Sequence, residues 1–123
     1  MYKMDLPESM RYFSKSFLFN NKNFEEEIFM CNEEKLVMVN FKTQKIRDVY
    51  TFENPLAAQP DYFLMNEEQN IGLVASSDDA LWFDVKNKSE VDLDDTYYFG
   101  DIRAIMYHNS KFYIIANRYN KQI

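Results

Sequence analysis

Apolar residues in this chain come in short runs, and the runs come back. Ile28-Phe29-Met30-Cys31 is followed by polar Asn32-Glu33-Glu34-Lys35 and then by Leu36-Val37-Met38-Val39-Asn40. Forty-four residues later Gly72-Leu73-Val74-Ala75 precedes Ser76-Ser77-Asp78-Asp79 and Ala80-Leu81-Trp82-Phe83-Asp84. Forty-one residues further on, Tyr113-Ile114-Ile115-Ala116 leads into Asn117-Arg118-Tyr119-Asn120. Flanking segments match as well. Tyr62-Phe63-Leu64-Met65 corresponds to Arg103-Ala104-Ile105-Met106, with Ser16-Phe17-Leu18-Phe19 in that place at a longer spacing. Downstream, Lys42-Thr43-Gln44-Lys45-Ile46 corresponds to Lys86-Asn87-Lys88-Ser89-Glu90-Val91. A fixed period of this size is the mark of a repeated supersecondary unit.

Run length decides the type of element. Segments of four to six residues, rich in Val, Ile, Phe and Tyr and bounded by Asn, Asp, Ser and Lys, read as strands. Helices need ten or more residues of 3.6 periodicity, and the pieces between turns are too short. Only two glycines occur, Gly72 and Gly100, where average usage would give roughly nine. Asparagine is the usual substitute at φ > 0, and many of the twelve asparagines fall between runs. They are therefore expected to take the left-handed turn positions. One stretch departs from the strand pattern. Asp5-Leu6-Pro7-Glu8 has the N-cap acid, early proline and N3 glutamate of a capping box, which predicts a short helix over Leu6–Ser14; an irregular arm is the alternative.

Four antiparallel strands every 41 to 44 residues resemble the blade of a β-propeller, the WD-repeat family in particular. The resemblance rests on residues 73–85, with Phe83-Asp84 standing where that family has Trp-Asp, and Val39-Asn40 there in the first copy. No copy begins with Gly-His. The resemblance implies an all-β fold of propeller-like blades: an arm or helix over 1–14, a first blade over 15–54, a second over 61–100, and the first two strands of a third over 101–123. Such a set forms an incomplete ring with an open strand edge near Phe112–Asn117. Further blades would come from a longer polypeptide, from another chain or from copies of this one. A compact antiparallel sandwich, serving as an accessory subunit, is the alternative for a chain folding alone.

Composition narrows the function classes. The chain has 123 residues and a net charge of −6, which argues against nucleic acid as partner. Its longest apolar stretch is Phe112–Ala116, and its opening residues lack the apolar core of a signal peptide. No membrane partner is expected, and the single Cys31 suits a reducing, cytoplasmic setting. One cysteine and one histidine cannot build a Cys/His zinc site, and two isolated glycines cannot make a phosphate loop. No cofactor is expected.

Nor does a catalytic set emerge. Cys31 lies in a buried-looking run and His108 in a polar turn of another copy. Asp92, Asp94 and Asp95 have part of a calcium-loop spacing without its glycine or final glutamate. Propeller topology would put Asp61, Tyr62, Asp101 and Arg103 near a central channel, again without a coherent catalytic grouping. Trp82 reads as core. The carboxylates group more informatively by turn. Glu33 and Glu34 occupy the turn between second and third runs of the first copy, Asp78 and Asp79 that of the second. In a propeller those turns share a rim with the inter-blade connections, which here carry Asp94, Asp95, Tyr97 and Tyr98. Turns between third and fourth strands are basic instead, with Lys42, Lys45, Lys86 and Lys88. The expectation is a non-catalytic interaction or scaffold module whose acidic rim receives a basic peptide or protein; a propeller portion of an enzyme, or ordinary solvated turns, would carry the same residues.

Overall fold

Leu73 and Val74 are neighbours in sequence, and both are fully buried, yet they belong to different cores. A strand sends successive side chains to opposite faces, so this is possible only where both faces of a sheet are covered. The computed structural model describes residues 17–20, 26–56, 58–77, 79–93, 101–117 and 120–122. Among them there is no α-helix, and the strands form three antiparallel sheets. The predicted helix over Leu6–Ser14 lies outside the described residues.

Sheet 1 holds β1 (Phe17–Asn20), β2 (Glu27–Cys31), β3 (Lys35–Asn40) and β4 (Lys45–Thr51) in sequence order. Sheet 2 holds β5 (Tyr62–Met65), β6 (Ile71–Ala75), β7 (Ala80–Asp84) and β8 (Ser89–Asp92) in the same order. Sheet 3 holds β9 (Ile102–His108), β10 (Lys111–Ala116) and β11 (Asn120–Gln122). Within each sheet, strands thus pair only with their neighbours in sequence. The third strand of sheet 3 corrects the expectation of two. β11 pairs with β10 through Tyr113–Gln122, Ile114–Lys121 and Ile115–Asn120, so β10 is central rather than an open edge. A polar run too weak to read as a strand by itself is recruited by the main-chain groups that β10 offers.

The first core lies between sheets 1 and 2. Phe29, Cys31, Leu36 and Met38 from sheet 1 meet Phe63, Met65, Val74, Leu81 and Phe83 from sheet 2, with Phe52 and Leu56 of the connection between them. Phe83 is fully buried and sits in an aromatic stack, nearly parallel to Tyr50 at 5.7 Å and to Phe63 at 6.4 Å. Its register partner is Gly72, where any Cβ would fall onto the Phe83 ring. That close approach is why this strand interior carries a glycine. A register shift in the β3–β4 pair leaves Val49 between the partners Asp48 and Tyr50, so two consecutive side chains pack on the same core.

The second core lies between sheets 2 and 3. Leu73, Ala75 and Ala80, with half-buried Trp82, face Ile102, Phe112, Ile114 and Ala116. A third cluster, Met30, Val37 and Val39, occupies the other face of sheet 1. The first strands lie side by side, β1 against β5 and β5 against β9.

The turns show how the chain manages with few glycines, and the mechanism differs from the expected one. Among the described residues left-handed φ falls on Gln44, Gln69, Lys88, Asn109 and Ser110, and only one of these is asparagine. Asparagine instead accepts backbone N–H groups through its side chain. Asn40 Oδ1 takes those of Lys42 and Thr43 at 3.0 Å each. Asn66 Oδ1 takes those of Asn70 and Ile71 at 3.0 and 3.1 Å. Asp84 does likewise, accepting from Asn87 N at 3.0 Å and Asn87 Nδ2 at 2.8 Å. Each is an Asx-type bond that fixes the start of the turn, and the strained dihedral falls near its end.

Candidate functional site

Asn32 closes the β2–β3 turn from inside: its Oδ1 accepts the N–H groups of Glu34 at 2.8 Å and Lys35 at 2.9 Å. The carbonyls of Glu33 and Glu34 are thereby turned outward to the connection that follows β4. Phe52 N donates to Glu34 O at 2.8 Å and Leu56 N to Glu33 O at 3.0 Å. Sheet 2 repeats the arrangement with serine. Ser76 Oγ accepts the N–H of Asp79 at 3.2 Å, and Ser76 N donates to Asp79 O at 2.8 Å. Ser77 O then receives Ile102 N at 2.6 Å, at the start of the next sheet. Asp61 N donates to Ala75 O at 2.8 Å, beside that same turn.

These bonds bring the β2–β3 turn, the β6–β7 turn and the inter-sheet connections together at one end of the sheets. Carboxylates gather there from separate parts of the sequence. Glu34 and Asp61 are exposed; Glu33, Asp79 and Asp101 are half-buried. Glu33 Oε2 is buried and has no hydrogen-bond partner among the described residues. Asp101 Oδ2 accepts Asn117 Nδ2 at 2.8 Å and lies 3.5 Å from the Arg103 guanidinium. Lys35 pairs with Asp48 at 3.2 Å. Of the residues singled out from sequence, Glu33, Glu34 and Asp79 therefore stand on the turns as expected. Asp78, Asp94, Asp95, Tyr97 and Tyr98 lie outside the described residues.

The remaining candidates are separated. Cys31 is fully buried in the first core, and burial, with the Glu33 carboxylate adding to it, pushes its thiol well above the ordinary range. A protonated, enclosed thiol is no nucleophile. His108 is exposed at the end of β9, in a different sheet. Tyr62 and Arg103 do come together: Tyr62 Oη donates to Arg103 O at 2.8 Å, which joins β5 to β9. Among the described residues, no group of three or more His, Cys, Asp or Glu side chains could hold a metal ion. No described helix is long and apolar enough to cross a membrane.

The sequence pattern missed Glu90. Its carboxylate accepts Tyr50 Oη and Glu53 N at 2.7 Å each and Asn54 N at 3.1 Å, clamping β8 to the end of β4. A signal was available in principle, since an acidic residue inside a predicted strand needs a partner when that face is covered. No protein-family model matches the chain, and no curated protein matches its sequence.

Proposed function

We propose that this chain is a propeller-like, non-catalytic scaffold module whose acidic rim receives a basic peptide or protein surface. The observation that carries this reading is the set of backbone bonds tying Glu33, Glu34 and Ser77 to the inter-sheet connections, which gathers Glu33, Glu34, Asp61 and Asp79 at one end. Three meander sheets in series, with β1, β5 and β9 side by side, support a propeller-like arrangement over a sandwich of two facing layers. Matching devices forty-four residues apart support a WD-repeat-like unit: Asn40 and Asp84 cap equivalent turns, and Gln44 and Lys88 share the left-handed conformation. A ring needs four blades or more, so further blades come from a longer polypeptide, another chain or copies of this one. A buried, unpaired cysteine and a net charge of −6 suit a cytoplasmic protein that does not bind nucleic acid.

Rim charges of this kind set partner choice and association rate more than affinity. The test is fluorescence anisotropy with a labelled Lys/Arg-rich peptide against the native chain, an E34K/D61K variant and an E67K/E68K control. Glu67 and Glu68 are exposed on the β5–β6 turn, at the other end of sheet 2. Binding that weakens with salt and is lost in E34K/D61K alone is the expected result. Equal binding by all three proteins overturns the proposal.

A further inference from the structure

Lys45 and Arg47 stand two residues apart on β4, so alternation sends both side chains to one face of sheet 1. Their register partners on β3, Asn40 and Met38, share that face, as does Glu27, which pairs with Asn40 from β2. With Thr43 and Ile46 these residues line an open cavity of about 300 Å³. It lies by the β3–β4 turn, at the opposite end of β3 from the acidic rim.

The lining is rich in donors. Among the described residues neither Lys45 nor Arg47 has an ion-pair partner. Asn40 commits its Oδ1 to the N–H groups of Lys42 and Thr43, which leaves Nδ2 as the amide atom able to donate to a ligand. Thr43 contributes a hydroxyl at the turn, and Met38 an apolar wall from the edge of the first core. Glu27 places one negative charge across from the two cations. Two cations and one carboxylate therefore line the cavity.

We infer that this cavity binds a singly charged organic carboxylate with a short apolar part. A guanidinium fork beside an ammonium matches the two oxygens of a carboxylate, and the apolar part lies on Met38. Inorganic phosphate has no apolar part to lie on Met38. Because the cavity is small and open, affinity is on the order of millimolar. The carboxylate can belong to a free small acid or to a peptide C-terminus; the chemistry at Arg47 and Lys45 is the same for both.

The experiment follows backbone amide shifts of the ¹⁵N-labelled chain during titration with butyrate, with N-acetyl-valyl-alanine, with the carboxamide of that dipeptide, and with inorganic phosphate. Saturable shifts confined to the amides around Glu27 and from Met38 to Arg47 are expected for a carboxylate. Binding at least about tenfold weaker is expected in K45Q and R47Q. Both side chains are exposed, so the spectra of the two variants away from the cavity report that the fold is kept. Tighter binding of butyrate assigns the free acid, and tighter binding of the dipeptide assigns the peptide terminus. Linear, non-saturating shifts with both carboxylates overturn the inference. So do equal binding by the carboxamide, tighter binding of phosphate, or unchanged binding in both variants.

Discussion

Tyr50 on β4 donates its hydroxyl to Glu90 Oε2 on β8 across 2.7 Å, and the same ring lies nearly parallel to Phe83 at 5.7 Å. One side chain therefore joins two sheets twice, by its polar end and by its face. Removing the hydroxyl in Y50F keeps the stack and is expected to cost about 0.5–1.5 kcal/mol. E90A leaves Tyr50 Oη and the N–H groups of Glu53 and Asn54 without their acceptor, and is expected to cost about 1–3 kcal/mol. Urea midpoints of the two variants and of the double variant measure both costs and the coupling between them.

The same bond sets a behaviour in alkali. Burial, and then the hydrogen bond to Glu90 and the nearby carboxylates, push the Tyr50 phenol above its ordinary value of 10.0. The neutral phenol is favoured in the folded state, so this stabilisation is complete below that ordinary value. It is lost as pH rises above it towards the folded-state value. Urea midpoints of the native chain should therefore fall as pH rises above about 10, and fall less in Y50F.

At Gly72, inside β6, a methyl group has no room. In G72A the new Cβ would come within 2.8 Å of Phe83 Cε1, in a ring already enclosed by Tyr50, Phe52 and Phe63. The expected cost is about 1–3 kcal/mol, read from thermal unfolding. G72A/F83L replaces the ring with a smaller side chain and should recover part of that loss.

Turn strain can be relieved by the reverse change. Gln44 and Lys88 hold φ of 59° and 52° at equivalent places in the two four-stranded sheets. A left-handed L-residue costs about 1–2 kcal/mol, against a glycine entropy cost of about 0.5–1 kcal/mol. K88G and Q44G should each raise stability by up to about 1 kcal/mol, seen as a higher urea midpoint.

Asp84 gives the complementary dependence in acid. Hydrogen bonds from Asn87, led by its backbone N–H, hold the carboxyl below its ordinary 3.8. Its contribution is therefore present above that ordinary value and lost as pH falls through the lower folded value. D84N keeps one acceptor for the turn and should flatten the acid limb of the stability profile.

Much of this architecture was legible in the sequence because it depends on local pattern. The alternation around Trp82 correctly separates Leu81 and Phe83 from it, and the two sides belong to the first and second cores. The polar runs at Asn32–Lys35 and Ser76–Asp79 mark real hairpin turns. What stayed hidden depends on encounters between distant segments or on main-chain geometry. Nothing near Glu90 announces that Tyr50 will reach it from forty residues away. The register shifts at Val49 and Arg103 break alternation without a glycine or proline to mark them. β11 is too short and polar to declare itself. Asparagine was the right residue for the turns by a different route, since its side chain caps while a neighbour takes the left-handed dihedral. For the rim, Glu33 and Glu34 were legible as a turn; the burial of one Glu33 oxygen was not, because it follows from what the three-dimensional turn encloses.

Pairing of each strand with its immediate sequence neighbour bears on how the chain acquires its form. Each ribbon can zip from its own tight bend, so the loops that must close are short and their ordering entropy is small. Only the meeting of one finished ribbon with the next, through Phe83 on one side and Leu73 on the other, brings far-apart segments into register. Assembly is therefore expected to split into a fast local phase and a slower docking phase, the second governed by how readily the aromatic faces find each other.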